Sequence, residues 1–482
     1  MTVCIDNSDN FKHIFLKKLN LKSNTLKKSQ SIKKTNTKKL NKDELDWLKK
    51  YVYTLANDIV EKNFNQFKNL FDIFNSNQIN NFIIKNSYQI KYHIPVKWMV
   101  YKLENELKKY PTRYLPYDNR EIIINSLTEN RTTLYTSFSM TYSFNNIVGA
   151  ENLEGNIMFN CKFKDAIKDG TQYINNIIYT IIKIIGFYVK YTILKNVFLN
   201  RLPNIVIYFT DVNKCLNQDG NVLDVNVINS AFYYGNYDEH SLVVYRQQEI
   251  FKVLIHELQH FYKIDLIGFE TREKTYKLND LISNFYNVKR ADDKFLNVNE
   301  AYTEMNATIL NTIFSTNSFN KINLTNNFYI EMLFSLYQLG KLFNYEKIPN
   351  SLYIYSNKTK DYNFRQKTFI FEYNYLKSKL LFQFNDILKF INDTKYYSEK
   401  ENYNNNMLIN IIFPKIESDQ FNQYLDFGNK FMIKIDEHNW DKALNILINE
   451  YSTDINLRMT KLNIPLYNSK IKIKFMQKYQ TF

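Results

Sequence analysis

Residues 253–260 read VLIHELQH. Two histidines, His256 and His260, stand four apart around Glu257, in a chain with only 6 histidines among 482 residues. The longer run EIFKVLIHELQH (249–260) has the apolar spacing of a helix, with Val253, Leu254, Leu258 and Phe261 as its buried stripe. Residues four apart on a helix share a face one turn apart, so both imidazoles can turn towards one ion. Zinc accepts imidazole nitrogen and carboxylate oxygen, and a catalytic zinc takes three protein ligands and one water, whose pKa falls to about 7. Glu257 is next to the first histidine, where it can take the water proton and pass it to a leaving amine. The plainer alternative is an amphipathic helix with two polar histidines beside its stripe. It leaves Glu257 unexplained, because that side chain projects near the stripe, where a lone carboxylate is costly to ionise.

Upstream of this helix, NIVIYFTDV (204–212), VINSAFYYG (227–235) and SLVVYRQ (241–247) read as three strands. Before them comes a long apolar helix from about 165 to 198. Lys183, Lys190 and Lys195 interrupt its most apolar window, which predicts a buried helix rather than a membrane span. Earlier still, Phe138, Met140, Tyr142 and Phe144 alternate with Ser137, Ser139, Thr141 and Ser143, the pattern of a half-buried strand, and GNIMFNCKF (155–163) is its expected partner. Leu48, Val52, Leu55 and Ile59 predict a helix from Asp43, and Pro95 suits the first turn of another. Downstream lie a polar connector, a helix NVNEAYTEMNATILNTIF (297–314) and a mainly helical pattern to the end.

The expected organisation is a basic, disordered arm (1–42), an α+β N-terminal unit (43–164), a core holding the histidines (165–320) and a mainly helical C-terminal region (321–482). The fold class is α+β. The arm carries four Lys-Lys doublets and few large apolar groups, too few to offset chain ordering.

A helix, a strand, an edge strand, a further strand and then the HExxH helix is the order of a zincin metallopeptidase. The chain resembles the gluzincins, the thermolysin-like group, through EIFKVLIHELQH and the downstream NEAYTE (299–304). The resemblance covers about residues 165–315. It implies a zincin-like core, a small mixed sheet plus the active-site helix, holding one zinc ion. His256 and His260 would be ligands, Glu257 the general base, Glu300 the third ligand, and Glu304 the acid that orients the first histidine. It also implies that NSAF (229–232), with Asn229, Ala231 and Phe232, is the edge strand that pairs with an extended substrate. A metzincin would need glycine at position 263 and histidine at 266, where the chain has Lys263 and Leu266. The 40 residues from His260 to Glu300 exceed the thermolysin spacing and read as an inserted loop. They leave Glu304, Glu270 and Glu273 open as alternative ligands. No motif identifies the donor that stabilises the oxyanion of peptide hydrolysis; Arg365, His438 and many tyrosines are available.

The expected activity is therefore that of a zinc-dependent metalloendopeptidase acting on a peptide or protein. The rival is a non-catalytic, basic structural or nucleic-acid-associated protein, virion-packaged, on the same fold. The formal net charge of +15 favours acidic partners, and the arm is the candidate contact to them. The bias towards Asn, Lys, Ile and Tyr is also that of AT-rich coding DNA, as in large DNA viruses and some protists. Three dispersed cysteines, Cys4, Cys161 and Cys215, with no CxxC pair, predict a reduced chain without a disulfide framework. MTVCIDNSDNFKHIF has early acids and no apolar run, so an intracellular location is expected.

Overall fold

The computed structural model describes residues 41–167, 170–194, 199–216, 222–224, 229–235, 240–264, 272–290, 296–355, 362–393, 427–432, 439–448, 456–467 and 473–480. The basic arm up to residue 40, Glu270 and His438 lie outside them, and the side chain of Glu273 is likewise not described.

Helix α1 (Lys42–Phe74) starts where the apolar period begins. The Asn41 side chain caps it by accepting from the Asp43 N–H at 3.0 Å, and Leu48, Val52, Ile59, Phe67 and Leu70 form its buried face. There follow β1 (Ile83–Tyr92), α2 (Val96–Lys108), which Pro95 precedes, and α3 (Tyr117–Leu127). Then come β2 (Tyr135–Ser143), β3 (Gly155–Lys162), α4 (Gly170–Leu194), β4 (Asn204–Tyr208), β5 (Ala231–Gly235) and β6 (His240–Val244). The HELQH helix is α5 (Ile250–Tyr262). After it are α6 (Arg272–Phe285), β7 (Val288–Arg290), α7 (Val298–Phe314), α8 (Lys321–Tyr345) and β8 (Phe364–Gln366). A π-turn (Glu372–Leu376) runs into α9 (Lys377–Phe382). The remaining elements are α10 (Phe384–Asp393), α11 (Trp440–Ile448) and β9 (Met476–Gln480).

Seven strands form one mixed sheet in the order β5-β6-β4-β3-β2-β1-β9. β3, β4 and β6 are parallel neighbours, and α4 makes the crossover from β3 to β4. β5 runs antiparallel to β6 at the sheet edge. At the other edge β9 lies parallel to β1. The sheet thus draws strands from each of the three segments 43–164, 165–320 and 321–482. The Ile157↔Ile205 and Tyr88↔Met476 pairings tie them into a single hydrogen-bonded layer. The chain is α+β, as its residue pattern implies.

Helices cover both faces of the sheet. On one, α1, α4, α5, α7 and α8 share a continuous apolar core. On the other, α2 and α3 close over Tyr92, Tyr135, Tyr208, Phe232 and Tyr245. Ser137 and Ser143 of β2 are consequently buried along with Phe138 and Tyr142, where the alternating pattern predicted a half-buried strand. Helix α4 is long and apolar enough to cross a membrane, but 83% of its most apolar window is buried in the fold. Its Lys183 is buried too. The ammonium donates to Asn75 Oδ1 at 2.6 Å and lies 4.1 Å from the Phe74 ring centroid, and burial pushes its pKa down to about 8.

One expectation needs correction. The stretch between His260 and Glu300 is not merely a loop, because it contains α6 and β7, and β7 pairs with β8. The mainly helical C-terminal region also supplies β9, which completes the sheet. Cys161 is a buried free thiol.

Candidate metal centre

Helix α5 follows β6 after a short turn and is buried on every side, well beyond the predicted stripe. Lys252, Glu257 and Gln259 are buried as well as Leu254 and Leu258. It packs against α4, α7, β5 and β6. The Tyr188 hydroxyl of α4 donates to the Ile255 carbonyl at 3.0 Å. Glu249, the residue before the helix, has φ +64°, a left-handed conformation uncommon outside glycine. Its carboxylate is held by the N–H groups of Met459 and Thr460, the latter at 2.6 Å, and by the Lys214 ammonium at 3.2 Å. The segment around them crosses behind the helix. The Leu457 N–H donates to the Lys214 carbonyl at 2.8 Å, while the Lys461 and Leu462 N–H groups hold the Glu331 carboxylate of α8.

Helix α7 brings up the acids. Asn297 caps it by accepting from the Asn299 N–H at 3.1 Å, which puts Glu300 in the first turn and Glu304 one turn later on the same face. Three atoms converge. His256 Nε2 and His260 Nε2 are 3.1 Å apart, and Glu300 Oε2 is 3.3 Å from the first and 3.6 Å from the second. Two nitrogen lone pairs and an anionic oxygen repel one another at such distances unless a cation or proton lies among them. For a tetrahedral ion with bonds of about 2.0–2.2 Å, neighbouring ligand atoms stand about 3.3–3.6 Å apart. The observed separations of 3.1–3.6 Å lie close to that range, and these three residues form a group that could hold a metal ion.

Glu304 does not join the triangle. Its Oε2 accepts from His256 Nδ1 at 3.0 Å, which fixes the imidazole with the lone pair of Nε2 facing the other two groups. Burial pushes the His256 pKa down to about 4, against the raising effect of its Glu300 hydrogen bond, so the ring is neutral at neutral pH. Burial also works to raise Glu300, yet His260 and His256 outweigh it and hold that carboxyl well below the usual range.

The Glu257 carboxylate accepts from the Tyr233 N–H of β5 at the sheet edge. Burial raises its pKa to about 7, against the opposing charge of His260. A small pocket of about 40 Å³ opens beside it, lined by Asn229, Ser230 and Ala231 of the edge segment and by Val253, His256 and Tyr373 among others. Of the three expected edge residues, Asn229 and Ala231 reach this pocket. Phe232 does not: strand side chains alternate, and its ring packs on Tyr114 and Tyr110 across the other face.

Tyr373 is the residue that motif reading missed. It sits in the π-turn, its phenol donates to Glu300 Oε2 at 3.1 Å, and its ring stands edge-on to His256 with centroids 5.7 Å apart. Among 38 tyrosines no spacing rule marks it. Arg365, a candidate for the same role, is instead paired with Glu346 at 2.9 Å. No family model, curated protein or solved structure matches the chain. The functional reading therefore rests on the side chains themselves.

Proposed function

We propose that the chain is a zinc-dependent metalloendopeptidase with a zincin-like core, in which His256, His260 and Glu300 hold the metal. The observation that carries this reading is the convergence of two Nε2 atoms and one carboxylate oxygen at 3.1–3.6 Å, with a buried, unligating glutamate on the adjacent residue. Zinc, when bound, supplies a Lewis acid that lowers a water's pKa to about 7 and polarises a carbonyl. Glu257 takes the proton of the attacking water and returns it to the amide nitrogen as the C–N bond breaks. Its pKa near 7 suits a group that must both accept and donate. The Tyr373 phenol, already beside the cluster, is the donor for the oxygen that gains charge. Among the described strands β5 is the sheet edge, and its outer backbone N–H and C=O groups would pair with an extended peptide.

Two measurements test this. Elemental analysis of the purified protein should show about one zinc per chain, lost in H256A and H260A. Glu257→Gln should keep the zinc and lose hydrolysis of an unfolded protein substrate by about a hundredfold or more. No zinc in the parent sinks the metal assignment. Zinc without cleavage of any peptide supports the non-enzymatic rival.

A further inference from the structure

Lys252 has no place in the HExxH pattern, and it interrupts the run IFKVLIHELQH where burial is complete. It lies one turn before His256 on the face that carries both histidines. Its side chain is only 2% exposed. A buried ammonium is rare unless paired, because desolvation is costly. Here the pairing is specific: the Lys252 ammonium donates to Glu304 Oε1, while Glu304 Oε2 accepts from His256 Nδ1 at 3.0 Å. Both oxygens of Glu304 are thus gripped, one by each of two residues on α5. The further charges around Lys252 are Glu249, Lys214, Lys377 and Glu331, from four neighbouring segments.

Glu300 and Glu304 stand four apart on α7, so helix geometry lets either carboxylate turn towards the two imidazoles. What separates them is their other partners. Among the described residues, Glu300 has the Tyr373 phenol on Oε2 beside the histidines, whereas Glu304 is tied at both ends. We propose that Lys252 is a positioning residue of the metal centre. It holds Glu304 behind His256, keeps the His256 Nε2 lone pair aimed at the metal, and leaves Glu300 as the ligating carboxylate. This inference rests on the metal reading above.

The test is a double-mutant cycle on zinc affinity, with chelator competition on parent, K252M, E304Q and K252M/E304Q, and the melting temperature of each metal-free form measured beside it. Loss of a group that orients a ligand imidazole typically weakens metal binding by about 10–100-fold. K252M and E304Q should each show a loss of that size at unchanged stoichiometry. The double mutant should be no more than about twofold weaker than E304Q, because Lys252 acts through Glu304. In cobalt-substituted protein the visible absorption bands of K252M should shift towards those of E304Q. A K252M protein with parental zinc affinity, or losses that add in the double mutant, overturns the proposal; a lowered melting temperature alone would mark Lys252 as merely structural. If K252M does not fold, the double mutant, which orphans neither charge, is compared with E304Q: equal affinity supports the proposal, weaker affinity overturns it. A parent without stoichiometric zinc overturns the metal reading, and this inference with it.

Discussion

Replacing Tyr373 by phenylalanine separates two roles that one hydroxyl could serve. The phenol donates to Glu300 Oε2 at 3.1 Å, and the ring, packed edge-on to His256, would stay in place in Y373F. If the hydroxyl only anchors Glu300, its removal costs one hydrogen bond to a charged acceptor, about 1.5–3 kcal/mol at most. A bound cation satisfies much of the same carboxylate charge, so the loss in zinc affinity should fall at the low end, about tenfold at 1.4 kcal/mol per decade. If the hydroxyl also stabilises the oxygen that gains charge during hydrolysis, its loss should lower kcat by a further factor of about 10²–10³. The assay keeps the two apart. Zinc affinity is read by chelator competition. Turnover is then measured at saturating zinc on a quenched fluorescent peptide, with kcat and KM resolved. The expected result is zinc binding weakened about tenfold, kcat reduced at least about a hundredfold and KM nearly unchanged. A kcat within about threefold of the parent would refute the reasoning and leave Tyr373 as an anchor for Glu300.

Other outcomes follow from the core and the supports of the site. Lys183 has a lower pKa folded (about 8) than its ordinary 10.5, so its destabilising effect is full below pH 8 and fades as pH rises towards 10.5. Urea unfolding should therefore find that the stability gained in K183M is larger at pH 7 than at pH 10, by about 2–3 kcal/mol; a pH-independent difference would contradict this. A Cβ at Gly340 of α8 would meet the Leu447 backbone of α11 at 3.0 Å. The G340A protein should melt lower, by a net 1–2 kcal/mol or about that much, since overpacking outweighs the gain in helix propensity. Deleting residues 456–482 removes the N–H groups that hold Glu249 and Glu331 together with β9, and zinc retention by that truncated chain would show that these contacts do not support the centre.

Local periodicity made much of the fold legible. The serine-alternating stretch became β2, the Asn-Ile-Val-Ile-Tyr run became β4, and the apolar lysine-broken window became α4. The residues of the candidate centre could be picked out because helix spacing converts sequence distance into a shared face, as at His256, His260, Glu300 and Glu304. Strands without alternation were not. β1 reads IIKNSYQIKY and β9 MQKYQ; most of their residues are only half covered or exposed, so no apolar signal marks them, and it is pairing with β2 and with each other that makes them strands. Tyr373 and Lys252 escaped for a different reason. Each reaches the candidate centre by a contact with a residue 52 or more positions away, and no local pattern encodes such a distance.

The segment that crosses behind α5 has a consequence for how the protein comes into being. Glu304 is the last of the converging residues on α5 and α7 to be synthesised, and Gln480 closes the sheet 480 − 304 = 176 residues later. At about 5–20 residues per second a ribosome needs roughly 10–35 s to cover that stretch. For the first 459 − 304 = 155 residues of it the nascent chain has both histidines and both glutamates, but not the amides of Met459 and Thr460 that hold the left-handed Glu249 at the head of the helix. The scaffold of the candidate centre is thus completed well after its converging side chains, and a chain cut short between these points carries those side chains without the contacts that support them.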